Sequence, residues 1–243
     1  MTSSILIIGG CSDREEAGAL QSVEEITFQR TTTGLKAHSQ IVGQLAEPRR
    51  SPAVLHDKDS FLVIGVFKMS FARLPDLPFR LKNGAAIALD DYNILLFGGW
   101  DESRTMKAVF RLQFDKERDS YETSMEAILP YEVEGHCCVS HDGYIYTIGG
   151  YNGVSVVDTI VRYSVADRES EILPIRLSMA RENHVCEIVF GRYLVVMAGW
   201  DGKRALDSVE IFEIVDKYPY LVRVDVAIRL AQARNRPASI TRL

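Results

Sequence analysis

One phrase recurs along the chain and constrains its fold more than any other feature. Residues 144–153, YIYTIGGYNG, form a short apolar and aromatic run followed by a glycine doublet, an aromatic residue and an Asn-Gly turn. Residues 94–102 (ILLFGGWDE), 194–202 (LVVMAGWDG) and 5–13 (ILIIGGCSD) repeat the phrase, and residues 61–66 (FLVIGV) are a weaker copy. Five copies in 243 residues indicate a repeat architecture.

Each copy predicts a buried β-strand that ends in a sharp turn. The apolar run is too short for a helix, and its β-branched and aromatic residues favour the pleated state. Glycines lack Cβ atoms, so the chain can turn there or let a neighbouring backbone come close. The aromatic residue after the doublet (Trp100, Tyr151 or Trp200) can then cover that space. We interpret as structural the glycines Gly9, Gly10, Gly65, Gly98, Gly99, Gly149, Gly150 and Gly199.

Composition excludes several classes of protein. The chain is 47% hydrophobic, enough for a full core, and its net charge of −5 argues against a nucleic-acid or anionic-membrane surface. There is no run of eighteen apolar residues, so we expect a soluble, cytoplasmic protein. The four cysteines (Cys11, Cys137, Cys138 and Cys186) have no C-x-x-C spacing, and we interpret them as reduced core residues.

Three further segments accompany each doublet strand. Residues 22–28 alternate apolar and polar positions, and residues 107–112, 158–163 and 207–212 correspond to them behind the later doublets. A segment that most often starts with arginine precedes the doublet strand, and a weaker segment such as 169–173 ends the unit. Four strands in about fifty residues are typical of a β-propeller blade.

The motifs GGYNG, GGWDE and AGWDG make the chain resemble the kelch-repeat family. Their doublets are spaced by 51 residues (Gly99 to Gly150) and 49 residues (Gly150 to Gly199). The resemblance implies an all-β, kelch-type β-propeller that forms a single domain over residues 1–243. We expect about five blades, formed by residues 5–47 plus 234–243, 48–78, 79–130, 131–178 and 179–233.

Two irregularities of spacing lead to further predictions. Residues 234–243 have no doublet after them, and joined to residues 1–10 they give the spacing seen from Arg80 to Gly99. The C-terminal strand is therefore predicted to complete the N-terminal blade and close the ring, which would remove exposed sheet edges. The second unit is short by one or two strands, so we expect a truncated second blade.

The sequence gives no catalytic or metal-binding signature, and we expect neither a cofactor nor a metal. Its five histidines lack ligand spacing, and no phosphate loop or nucleophile motif is present. Arginines near the starts of several units suggest instead a basic rim that binds carboxylates. The alternative is that each arginine pairs with an acid of a neighbouring blade and only fastens blades.

The resemblance implies a partner-binding surface on one propeller face. Kelch adaptors similar to this chain grip acidic or phosphorylated peptides with arginines, asparagines and serines at the start of that strand. Carried over, this predicts the partner-binding residues Arg50, Arg80, Asn83, Arg181, Asn183 and Arg236, with Trp100, Tyr151 and Trp200 as loop aromatics. The partner would be a protein or peptide.

Three roles remain open within the family. Kelch adaptors of ubiquitin ligases recruit the ligase through a BTB or F-box domain, and no such segment is recognised before residue 5, so this chain is expected to bind a client only. Other kelch proteins bind actin. An enzymatic alternative is a sugar epimerase, in which Glu132 would be the acid/base and Arg80 or Arg181 the anion clamp.

Overall fold

The computed structural model describes residues 2–12, 18–57, 60–64, 77–115, 117 and 120–242, and their secondary structure consists of nineteen β-strands. The strands are β1 (Thr2–Ile8), β2 (Leu20–Thr31), β3 (Gly34–Arg49), β4 (Ala53–Asp57), β5 (Ser60–Ile64), β6 (Ala85–Ala88), β7 (Asn93–Phe97), β8 (Ala108–Asp115), β9 (Ser120–Ile128), β10 (Cys137–His141), β11 (Tyr144–Ile148), β12 (Thr159–Ser164), β13 (Glu169–Arg176), β14 (Val185–Val189), β15 (Tyr193–Met197), β16 (Leu206–Ile214), β17 (Leu221–Val224), β18 (Arg229–Arg234) and β19 (Ala238–Arg242). The all-β prediction is therefore confirmed.

The strands form antiparallel sheets of the kind predicted for propeller blades. Two sheets, β6-β7-β8-β9 and β10-β11-β12-β13, follow chain order, and a third has the order β14-β15-β16-β17, with β18 also paired to β16. A fourth sheet has the order β19-β1-β2-β3. Each doublet strand is thus the second of its sheet, with the strand that the sequence placed before it on one side.

The chain divides into two compact units. Unit 1 comprises residues 1–67 and 183–243, and unit 2 comprises residues 68–182. The core of unit 2 contains Phe97, Ile145 and Tyr163, all fully buried, and the rings of Phe97 and Tyr163 meet edge to face at 5.7 Å. In unit 1 every residue of β15 is buried, as expected of a strand covered on both faces.

The C-terminal strand pairs with the N-terminal strand inside unit 1. β19 runs antiparallel to β1, with Ile7 opposite Ser239 and Ile8 opposite Ala238. The predicted completion of the N-terminal sheet by the tail is therefore seen, although the paired strand begins at Ala238 and Arg234 ends the separate strand β18. The number of blades, ring closure and the blade boundaries stay predictions.

A buried ion pair fastens this tail to the N-terminal sheet. The guanidinium of Arg234 donates to Glu24 Oε2 through Nη2 at 3.0 Å, and to the carbonyl oxygen of Gly9 through Nη1 at 2.9 Å. Both side chains of the ion pair are completely buried. Burial lowers the pKa of Arg234, while its hydrogen bond to the Glu24 carboxylate opposes that shift. Arg234, at the end of β18, thus pairs with an acid of a different sheet, and its role in fastening blades stays a prediction.

The short second unit shows two strands, β4 and β5, paired antiparallel from Ala53 opposite Ile64 to Asp57 opposite Ser60. The residues that would hold the rest of this blade, 65–76, lie outside the described residues, and so does Gly65. The predicted truncation is consistent with this two-stranded sheet and stays a prediction.

Replacing Arg234 should destabilise unit 1 far more than replacing an exposed arginine. Arg234→Met leaves the Glu24 carboxylate buried without a cation, so we expect a loss of about 3 kcal/mol or more in the free energy of unfolding by urea. Arg229→Met, which breaks the exposed pair with Asp207, is the matched control and should cost less than about 1 kcal/mol. Equal losses for the two variants would contradict a fastening role for the buried pair.

Candidate functional site

The strand that opens each sheet is preceded by one residue in the left-handed conformation. In chain order these residues have φ between 50° and 61°, and they are Ser51, Asn83, Gly135, Asn183 and Arg236. Glycine and asparagine adopt this region most readily, which explains three of the five. This residue, and not the arginine, sets the structural register of the repeats.

The left-handed residues of successive sheets are hydrogen-bonded to one another. In unit 2 the Gly135 N–H donates to the carbonyl oxygen of Asn83 at 2.8 Å. In unit 1 Arg236 N–H donates to Asn183 at 3.0 Å, and Ser51 N–H donates to Arg236 at 3.1 Å. The structure therefore brings together Asn183, Arg236 and Ser51 in one unit, and Asn83 and Gly135 in the other.

The arginines near the strand starts fall into two groups. Arg49, Arg181 and Arg234 each lie two residues before a left-handed residue, whereas Arg80 lies three before one, Arg50 lies one before one and Arg236 is itself left-handed. Aligning Arg80 with the others counts to the left-handed Asn83 in its repeat, but to the His or Pro after the left-handed residue in the other repeats. The arginines consequently face different surroundings.

The position two residues before the left-handed one is interior in three of the five repeats, whereas Arg49 and Leu81 are partly buried there. Arg181, Arg234 and Val133 occupy this position in three repeats, and all three are completely buried. The carbonyl of this residue accepts from the second doublet glycine of the preceding sheet: Gly150 N–H reaches Arg181 at 2.8 Å and Gly99 N–H reaches Val133 at 2.7 Å. Arg181 is therefore not presented for binding, contrary to expectation.

The doublet glycines make room for this contact. A Cβ on Gly150 would lie 2.7 Å from the carbonyl oxygen of Glu134, and one on Gly98 would lie 2.2 Å from that of Val133. Both distances are shorter than any real contact, and φ is +101° at Gly150. A side chain at either position would push the two sheets apart.

Unit 2 brings four predicted residues next to Lys82, and we call this group the loop patch and define it by Arg80, Lys82, Asn83, Trp100 and Tyr151. Arg80 and Lys82 are exposed, and the other three are partly buried. Lys82 and Trp100 exchange backbone hydrogen bonds of 3.0 and 2.8 Å, which place the Lys82 ammonium 4.0 Å from the Trp100 ring centroid. The guanidinium of Arg80 forms an ion pair with Glu102 and is 77% exposed. The structure thus joins Arg80 and Trp100 through residues that the sequence reasoning did not select.

Asn83 and Tyr151 are linked to each other by Glu134. The amide of Asn83 donates to Glu134 Oε2 at 2.9 Å, and the hydroxyl of Thr105 donates to Glu134 Oε1 at 3.0 Å. Glu134 also exchanges backbone hydrogen bonds of 2.9 and 2.8 Å with Tyr151. Glu134 therefore holds the patch in shape and is a residue that sequence reasoning missed, although its place just before a left-handed glycine was a usable signal.

The Asp or Asn residue after the loop aromatic shapes the loop. Asp101 accepts from the hydroxyl of Ser103 at 2.6 Å and from the backbone N–H groups of Ser103 and Arg104, both at 2.9 Å. The Ser103 hydroxyl and these N–H groups lower the pKa of Asp101 to about 2. Asn152 accepts two N–H groups in the same way in the next sheet. These residues set loop geometry and leave the preceding aromatic to define the surface.

The predicted residues of unit 1 are less accessible. Arg50, Asn183 and Arg236 are partly buried, and Trp200 is only 7% exposed. Trp200 is therefore part of the interior, contrary to its prediction as a binding aromatic. Asn183 and Arg236 are themselves two of the hydrogen-bonded left-handed residues, and Arg50 directly precedes the third, Ser51.

The residue proposed for acid/base chemistry does not face a predicted clamp. Glu132 is 48% exposed and lies 3.7 Å from the ammonium of Lys107. Arg181, one of its two proposed partners, is buried, and Arg80 pairs with Glu102. Within the described residues no cluster of three His, Cys, Asp or Glu side chains has the geometry to hold a metal ion. No helix of membrane-spanning length and hydropathy occurs in the described part of the chain.

Comparison with known proteins points to the same family as the repeated motifs. Residues 134–174, which contain β10 to β12 and most of β13, match the family model of the Kelch motif. Kelch repeat and BTB domain-containing protein 2 of Cowpox virus (strain Brighton Red) is 24% identical over 194 residues, or 73% of this chain and 33% of that protein. Kelch domain-containing protein 9 of Mus musculus is 36% identical over 78 residues, or 30% of this chain and 22% of that protein.

A solved structure titled "Structure of YjhT" is similar at 22% identity with a TM-score of 0.44, over 52% of this chain and 36% of that one. The chain spans about a third or less of the length of the curated relatives it matches. The motif match and the kelch-named relatives confirm the resemblance of the chain to kelch-repeat proteins.

Unit 2 should lose stability on mild acidification because of His136. This histidine packs against the doublets, and burial lowers its pKa to about 4, with the backbone carbonyl of Phe97 opposing the shift. Below pH 6.5 the unfolded chain binds a proton that the folded unit does not, so stability falls as the pH falls towards 4. At pH 5 the expected loss is about 2 kcal/mol.

Urea unfolding of single-histidine variants at pH 7 and pH 5 checks this expectation. His136→Gln should remove this part of the acid-induced loss. His38→Gln, at an exposed histidine, should keep it. A parent-like pH dependence in His136→Gln would show that the loss has another source.

Proposed function

We propose that the chain is a non-enzymatic interaction module that binds a peptide or protein segment at the loop patch. The observation that carries the proposal is the Lys82 ammonium on the Trp100 ring beside the exposed Arg80 guanidinium. Val154, in the next loop, is 85% exposed. Cations beside exposed apolar surface suit a segment that combines carboxylates with an aliphatic or aromatic side chain.

The exposed ion pair between Arg80 and Glu102 can be replaced by an ion pair between Arg80 and a partner's anion. Both side chains are more than half exposed, so the pair is worth at most about 1 kcal/mol in water. A carboxylate or phosphate on a partner can therefore replace Glu102 at modest cost. A guanidinium also presents two parallel N–H groups, which favours an anion with two oxygens.

The partly buried residues Arg50, Asn183 and Arg236 of unit 1 are a second proposed contact group. Arg236 and Asn183 are joined by a backbone hydrogen bond of 3.0 Å, so their positions are fixed relative to each other. Buried Arg181 and Trp200 are left out of the proposal. The loop patch remains the primary site because its cations are exposed.

The biological setting follows from the relatives only as a proposal. The Cowpox virus relative is named for a BTB domain as well as for kelch repeats, and this chain matches about a third of that protein. We propose that this chain supplies client binding of the kind seen in cytoplasmic ubiquitin-ligase adaptors. Actin binding is a further outcome that the partner's identity would decide. An epimerase is less well supported, because Glu132 lies against Lys107 and lacks the proposed arginine clamp.

Loss of the two exposed cations should weaken binding of an acidic peptide. We expect the double variant Arg80→Ala with Lys82→Ala to bind a fluorescein-labelled acidic peptide containing one leucine about tenfold or more weakly, measured by anisotropy at fixed salt. Arg192→Ala, which removes an exposed arginine paired with Glu213 in unit 1, is the matched control and should bind as the parent does. An unchanged affinity of the double variant would remove the loop patch as the binding site.

A further inference from the structure

The outer strands of the four longer sheets differ in how their free edges are protected. An unpaired edge can recruit another chain, and proteins block it with proline, basic residues or very short strands. β3 contains Lys36 and Pro48, β13 contains Pro174 and Arg176, and β17 has four residues, one of them Arg223. β9 has nine residues and neither proline nor a basic side chain. Among the described outer strands, β9 is the one that lacks all three of these features.

A bulge in β9 turns two large apolar side chains outward. The register shifts between Val109 and Phe110, so that Ala127 is opposite Val109 and Met125 is opposite Phe110. Glu126 then points inward, whereas Met125 and Ile128 are 63% and 58% exposed. β3 and β13 have bulges in addition to proline and basic residues, whereas β9 has only its bulge and the inward-pointing Glu126 to guard its edge.

The exposed pair lines a groove of about 250 Å³ in unit 2. Its floor is apolar and includes Met106, Phe110, Met125 and Ile128. Phe110 is held in place by stacking on Phe79 at 4.2 Å. This volume fits one or two aliphatic side chains and not a globular surface.

The charges at the groove favour an acidic occupant. Its rim carries Arg104, Lys107 and Glu132, which are 80%, 50% and 48% exposed. The lining holds two cations and one carboxylate. Each cation has one loose ion pair of 3.7 Å, Lys107 with Glu132 and Arg104 with Asp101, which lies outside the lining. A carboxylate next to an apolar side chain in the groove therefore gains more than it disrupts.

We propose that β9 is a second docking site, at which an extended segment of a partner protein adds a strand to the sheet. The segment places an aliphatic side chain in the groove and the following carboxylate beside Arg104 and Lys107. Backbone hydrogen bonds to β9 supply affinity, and the groove and its cations supply specificity. The site goes beyond the loop patch and does not depend on it.

The equivalent position of the next sheet shows which substitution could block strand addition at β9. Ala108 pairs with Ile128, and Thr159, which lies the same distance after its own doublet, pairs with Arg176. Ile128→Arg therefore copies onto β9 a residue that β13 already tolerates. Ile172→Arg, which adds the same charge to a 45% exposed isoleucine of β13, is the matched control.

The test uses a capped, labelled peptide of alternating valine and threonine with a central Leu-Asp pair. The parent should bind it, and amide hydrogen exchange of β9 should slow on binding. Ile128→Arg should weaken binding about tenfold or more while keeping the parental urea midpoint, and Ile172→Arg should bind normally. Arg104→Ala with Lys107→Ala should weaken binding of this peptide but not of its Leu-Asn counterpart.

Three results would overturn the proposal. The first is Ile128→Arg binding with parental affinity, and the second is equal weakening by Ile172→Arg. The third is concentration-dependent dimerisation of the parent, seen by sedimentation and abolished by Ile128→Arg, which would assign the edge to a second copy of the chain. None of these measurements involves the loop patch, so the two proposals fail separately.

Discussion

The hydrogen bond from the second doublet glycine to the carbonyl of the following sheet is the contact on which each unit depends. It recurs as Gly10 to Arg49, Gly99 to Val133, Gly150 to Arg181 and Gly199 to Arg234, at 2.7–2.9 Å. The glycines are needed because a Cβ would collide with neighbouring backbone. Each such bond fixes where the next sheet starts, and with it which side chains point inward.

That register divides the start of each sheet into an interior and an exterior position. Two residues before the left-handed one, the side chain is enclosed at Val133, Arg181 and Arg234 and partly buried at Arg49 and Leu81. One residue before it, the backbone pairs with the residue that follows the doublet, as Lys82 does with Trp100 and Glu134 with Tyr151. Polar side chains at this second position are therefore the ones brought next to the loop aromatics, which is why the loop patch contains Lys82.

The sequence predicted the strands well because glycine doublets and apolar runs are local signals. It also predicted the pairing of the C-terminal strand with the N-terminal strand, because residues 234–243 and 1–10 together give the same spacing as Arg80 to Gly99. It misassigned the arginines because a one-residue shift moves a side chain from the surface to the interior, and only the left-handed residue marks that register. Arg181 was thus taken for a binding residue, while Lys82 and Glu134 were overlooked.

Sequence patterns could not predict the exposure of Met125 and Ile128 on β9 either, because buried interactions of the neighbouring Glu126 determine it. Glu126 receives two hydrogen bonds from Arg111, at 2.8 and 2.9 Å, and one from the hydroxyl of Tyr163 at 3.3 Å. The hydrogen bonds from Arg111 lower the pKa of Glu126 and keep it ionised despite burial.

An ionised carboxylate that is enclosed cannot leave its partners without a large penalty, so Glu126 fixes the bulge. With Glu126 turned inward, Met125 and Ile128 must face outward on either side of it. The apolar docking edge is in this sense the external consequence of a buried polar network. β13 has the apolar Leu173 buried at the corresponding bulge, without such a network, and its edge carries proline and arginine instead.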